Sequence, residues 1–128
     1  MANIKDSTTI KVIPINTTVD LYFDQLALLL KPVLRITDQE CKVLAHILKV
    51  FNSTTNLNLD QKNIMALGAI GRKGIEEDLN ISAARLRNIL HSFRKKRIVV
   101  DDKFVLHTYS EIGNRHDLIF KFTINESD

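Results

Sequence analysis

Apolar and polar residues alternate with different periods along this chain, and the changes of period mark out its elements. Thr8 to Ile15 (TTIKVIPI) is β-branched and partly alternating, which predicts a strand whose far end Pro14 confines to an edge or terminus. Asn16, Thr17 and Thr18 supply capping groups for a helix from Val19 to Lys31, closed by Pro32. Nine of those thirteen residues are apolar, more than one face on one core requires, so the helix is either central or half of an interface. Thr37-Asp38-Gln39-Glu40 is a capping box, in which the threonine hydroxyl and the glutamate each satisfy a free backbone N–H at a helix start. Cys41, Leu44, Ala45, Leu48 and Phe51 then recur at helical spacing, and the polar run Asn52 to Asn58 ends that helix.

Asp60 is positioned to cap a further helix, Gln61 to Ile70, with Ile64, Leu67 and Ile70 on one side, after which Gly68, Gly71 and Gly74 loosen the chain. The string GAIGRKG lacks the G-K-[ST] ending of a phosphate loop and follows no strand. Ile75 and Leu79 fall one turn apart on a short helix. Asn80 suits a left-handed helix end, Ile81 plugs the turn, and Ser82 caps the next helix. From Ala83 to about Lys96, Leu86, Ile89, Leu90 and Phe93 form a narrow apolar stripe, while Ala84, Asn88, His91 and Lys95 cluster on the opposite face with Arg85 and Arg87 flanking it. After Arg97 the period becomes that of a strand. Ile98 to Val100 and Lys103 to Tyr109 form a hairpin across Asp101-Asp102, and Leu118 to Ile124 alternates again beyond the loop Glu111 to Asp117.

Charge sharpens this picture. The net charge of +3 is too small to define a partner, but Ser82 to Arg97 holds six basic residues and no acid. The positive potential is concentrated on one helix. The single cysteine, Cys41, rules out an internal disulfide and reads as a small buried hydrophobe. His46, His91, His107 and His116 show no metal-ligand spacing, and no catalytic motif is present, so the expectation is a non-enzyme with no metal and no cofactor. The length fits one domain, and the absence of a long apolar run or an apolar leader predicts a protein of the cytoplasm, with no membrane partner.

The order of a helix bearing Ile75 and Leu79, a turn at Asn80 to Ser82, the helix SAARLRNILHSFRKK and a hairpin resembles the winged helix-turn-helix family of bacterial and phage DNA-binding domains. The likeness covers roughly residues 38 to 124. It implies an α+β fold of about four to five helices followed by an antiparallel β-hairpin wing, with the N-terminal strand as an addition. One domain then spans 1–128: a strand or arm at 1–17, an apolar helix region at 18–36, and the helix-turn-helix and wing at 37–124. The resemblance further implies that the second helix enters the major groove of double-stranded DNA, where Asn pairs with adenine and Arg with guanine. With Arg72 and Lys73, which the glycine-bearing connection itself directs toward a phosphate backbone, the candidate nucleic-acid-binding set is Arg72, Lys73, Ser82, Arg85, Arg87, Asn88, His91, Arg94, Lys95, Lys96 and Arg115. Arg115 enters because an Asp101-Asp102 wing tip would repel phosphate, so the loop carrying Arg115 is the favoured wing. The function expected is transcription regulation or a replication accessory role, with homodimerisation through Val19 to Leu30 and the terminal strands. The alternative is a winged-helix protein-interaction module in a virion or other assembly.

Overall fold

In the computed structural model, which describes residues 10–112 and 117–125, five α-helices precede a two-stranded hairpin and a short 3₁₀ helix. The helices are α1 (Val19–Leu34), α2 (Asp38–Ser53), α3 (Leu59–Leu67), α4 (Ala69–Leu79) and α5 (Ala83–Lys95); the strands are β1 (Val99–Val100) and β2 (Lys103–Phe104), and the 3₁₀ turn is Val105–Ser110. α2 lies at the centre, in contact with α1, α3, α4 and the 3₁₀ helix. Its Val43, Leu44, Ile47, Leu48 and Phe51 are almost wholly buried, which is why one amphipathic helix can organise the others around it.

Helix starts follow the chain's side-chain chemistry. The Thr18 hydroxyl accepts from the Leu21 N–H to begin α1, and Thr37 and Glu40 form the reciprocal capping box of α2. α3 departs from expectation: Asn58, not Asp60, is the cap, because Gln61 three residues on returns the bond that completes a second box. Pro32 does not close α1. It sits within the last turn, where the missing N–H costs a single bond and the chain gains the burial of Ile36.

The predicted helix Gln61 to Ile70 is two helices. Gly68 breaks it, and α4 already begins at Ala69, so Gly71 and Gly74 lie inside a helix and do not loosen the chain. Gly71 is there because α3 and α4 meet closely: a Cβ on it would fall 2.3 Å from the Met65 carbonyl oxygen and 2.4 Å from that of Ala66. The break also re-aims the side chains. Ile64 and Ile70 face outward, and the buried positions of α3 are Ala66 and Asn63.

Asn63 is the buried polar joint of the fold. Its carboxamide nitrogen donates to the Leu59 carbonyl at 3.0 Å, and its oxygen accepts the Phe104 N–H at 2.7 Å, tying α3 to β2. Asn63→Leu leaves that N–H buried without an acceptor and is expected to cost about 2 kcal/mol, read as a lowered urea midpoint at unchanged slope.

The hairpin pairs Val99 with Phe104 and Val100 with Lys103. Asp101 and Asp102 both adopt positive φ (51° and 59°), which makes the two-residue loop the type I′ turn suited to the right-handed twist of its strands. The second strand is shorter than predicted, because the backbone turns into the 3₁₀ helix at Val105. Two expected strands are not formed among the described residues. Ile10 to Ile15 and Leu118 to Ile124 run without secondary structure and largely exposed; Thr8 and Thr9 lie outside the described residues. The architecture is therefore mostly helical with a small antiparallel sheet, a coarse α+β fold.

Candidate nucleic-acid interface

α4 and α5 are joined by the three residues Asn80 to Ser82. Asn80 takes the left-handed conformation (φ 52°, ψ 52°), and its N–H returns to the Glu76 carbonyl, as does that of Ile81 at 3.1 Å. Ile81 packs against the core, and the Ser82 hydroxyl accepts from the Arg85 N–H at 3.0 Å to start α5. The turn thus has the chemistry read from its sequence.

α5 buries Leu86, Ile89, Leu90 and Phe93, which fixes the helix about its own axis. The face directed away from that stripe carries Ala84, Asn88, His91 and Lys95, all exposed. Arg87 and Arg94 border it on one side and Arg85 on the other. These cations differ in what already holds them. The Arg85 Nε donates to Gln39 in the first turn of α2, so this guanidinium is partly positioned. Lys96 is committed to the fold, its ammonium donating to the Arg35 carbonyl at 2.7 Å and to Glu40 Oε1 at 3.3 Å. Among the described residues no hydrogen bond or ion pair engages the side chains of Arg72, Lys73, Arg87, Arg94, Lys95 or Arg97.

Arg72 on α4 and Arg94 on α5 line one shallow pocket of ≈ 400 Å³, floored by Leu67, Leu90 and Val99 and bordered by Asp102 of the hairpin turn. Arg115, expected at the tip of a wing, falls outside the described residues, and the hairpin tip within them is the acidic pair Asp101-Asp102.

Two ionisable groups, the buried Glu40 and the half-buried His46, hold this surface on its scaffold. Burial alone would raise the Glu40 carboxyl, but the Ser92 hydroxyl, the Thr37 N–H and the Lys96 ammonium together hold it below the usual carboxylate range. The start of α2 is thereby clamped to the end of α5. His46 on α2 is pushed below its ordinary value by burial, against the opposing pull of Asp78 on α4, whose Oδ2 lies 3.0 Å from its Nδ1. The His46–Asp78 contact joins α2 to α4.

Burial likewise raises the Cys41 thiol, in keeping with a core position. Among the described residues no group of three or more His, Cys, Asp or Glu converges in a way that could hold a metal, and no helix is long and apolar enough to cross a membrane. Sequence reasoning missed Asn63 and the structural commitment of Lys96, because both depend on partners 41 and 61 residues away. No family model, curated protein or solved structure matches the chain, so this surface is interpreted from its own geometry and charge.

Proposed function

We propose that this protein binds double-stranded DNA without catalysing a reaction, laying α5 in the major groove as a winged helix-turn-helix domain does. The observation that carries the reading is the acid-free basic surface of α5, on which Arg87, Arg94 and Lys95 are exposed and unengaged beside the outward Asn88 and His91. Arg85, Asn88 and His91 are the base-reading candidates, and Arg72, Lys73, Arg94 and Lys95 meet phosphates. Ser82 offers its exposed position at the helix start to the backbone. Lys96 acts indirectly by holding the end of α5 in place. The short acidic hairpin is a poor wing, so affinity rests on the two helices. Regulation of transcription or a replication accessory role follows as the biological setting.

The mechanism is electrostatic docking followed by groove insertion. If about four to six phosphates are neutralised, the affinity for a random-sequence duplex falls with salt at a log–log slope of about −4 to −5. Fluorescence anisotropy across a salt series measures it. In Arg85→Ala with Lys95→Ala, affinity is expected to drop and the slope to become shallower by about 1, the phosphate contact of Lys95. No saturable binding at low salt, or an unchanged double variant, removes the DNA reading. What then stands is an assembly module, favoured by a separate observation: Leu21, Leu28, Leu29 and Val33 of α1 are exposed.

A further inference from the structure

We propose that Gln39 is a specificity-determining residue for DNA, a role that rests on the DNA-binding reading above. Its carboxamide oxygen holds the Arg85 guanidinium by the Nε–H, so that Arg85 reads a guanine end-on through its two Nη groups.

α5 meets the start of α2 along one flank. At about 100° per residue, Arg85, Ser92 and Lys96 span about 40°, roughly a quarter turn from the middle of the outward face formed by Ala84, Asn88, His91 and Lys95. All three reach the first turn of α2. The Ser92 hydroxyl and the Lys96 ammonium meet Glu40, a buried carboxylate, and these contacts fasten the end of α5. The third differs. The Arg85 Nε donates to Gln39 Oε1, 46 residues away in the chain, and Arg85 itself stays exposed at the border of the outward face.

That bond uses one of the five N–H donors of the guanidinium. Among the described residues nothing else engages this side chain, so the four N–H groups on Nη1 and Nη2 are unspent. A guanidinium presents a donor fork either side-on, through Nε and one Nη, or end-on, through both Nη. With the Nε–H given to Gln39, the end-on fork alone is left whole. In the major groove the acceptor pair that matches it is O6 and N7 of guanine.

The holder is an amide, and this matters for charge. A carboxylate at position 39 would fix the guanidinium equally well but offset its charge beside phosphates, whereas the carboxamide fixes it and leaves the charge whole. Gln39 is itself well placed: it is half-buried between Asp38, which is bonded to Lys31, and Glu40 of the capping box. A long side chain ordered before binding does not lose that freedom on binding, an advantage of about two- to tenfold at the one base it touches.

The test is selection of bound duplexes from a library with a random core, followed by sequencing, for the full chain and its variants. Wild type is expected to enrich a guanine at one position, and Arg85→Lys, which keeps the charge but not the fork, to lose it there. Gln39→Met, which removes the acceptor at similar length, should cut the preference for that guanine about fivefold. Its affinity for random-sequence duplex should stay within about twofold of wild type at an unchanged salt slope, because no charge is removed. Gln39→Glu restores the acceptor, so the guanine preference should return while overall affinity falls. Combined with Arg85→Ala, Gln39→Met should have no further effect. Three results overturn the proposal while DNA binding stands: a wild type that enriches no guanine, a Gln39→Met loss at positions other than Arg85's, or a Gln39→Glu variant as defective at that base as Gln39→Met. A wild type that binds no duplex at low salt is a separate outcome, which removes the DNA reading and this role with it.

Discussion

Replacing Arg87 and Lys95 together by glutamate is expected to weaken duplex binding about a thousandfold at low salt, the largest functional effect available from two substitutions on this surface. Both side chains are exposed and engaged by nothing among the described residues, so the change reaches solvent and ligand before it reaches the fold. Each reversal removes an attraction to phosphate and replaces it with a repulsion. The stripe Leu86, Ile89, Leu90 and Phe93 that seats α5 is untouched. The internal cost should be a few tenths of a kcal/mol, from an acid placed in the last turn of a helix that prefers cations there. Lys96→Glu is the informative contrast. It sets a carboxylate against the Arg35 carbonyl and Glu40, so its main effect should be on the unfolding midpoint. Anisotropy and urea melts of both proteins separate the two roles, and duplex affinity of the double variant within threefold of wild type would exclude α5 as the contact surface.

Phe51→Ala should cost about 3–5 kcal/mol. The ring is 1% exposed at the last turn of α2, and its centroid lies 5.2 Å from that of Phe104 at an angle of 50°. Truncation removes the transfer energy of the ring, leaves a cavity between the central helix and the hairpin, and breaks an aromatic pair. Each strand is only two residues long, so the hairpin is held mainly by the burial of Ile98, Val99 and Phe104 and by the bond from the Phe104 N–H to Asn63. Stabilities of 5–15 kcal/mol are typical of domains, so a loss of about this size removes a large share of the total. Urea unfolding followed by far-UV circular dichroism measures it. A change below about 1 kcal/mol would mean that the α2–hairpin junction is not part of the cooperative core.

What could be read from the sequence was local. The Thr37–Glu40 box, the left-handed Asn80, the Ser82 cap and the stripe on α5 each involve residues within one or two turns, and they appear as their side-chain chemistry dictates. The misread parts were decided at a distance. The split between α3 and α4 follows from the approach of two backbones at Gly71, which no periodicity encodes. Ile64 and Ile70 are apolar at helical spacing, yet the break at Gly68 turns them outward. The basic face of α5 was legible as charge. That Lys96 is held by a carbonyl on the far side of α2's capping box was not. The two terminal strands expected from composition are not formed among the described residues, because strand-like composition alone does not supply a paired edge.

Three helices end in the same way, with a left-handed residue followed by an isoleucine: Arg35-Ile36 after α1, Asn80-Ile81 after α4 and Arg97-Ile98 after α5. At each stop the isoleucine N–H bonds back to a carbonyl five residues earlier, and its side chain is buried or packed on the core. These stops set the rotational phase of the helices. One residue inserted between Phe93 and Arg97 would have to unseat Ile98 or turn the end of α5 by about 100°. Helix length is therefore far less free to drift than surface composition: new side chains can be tried on the outward face of α5 while the direction in which that face points stays constant.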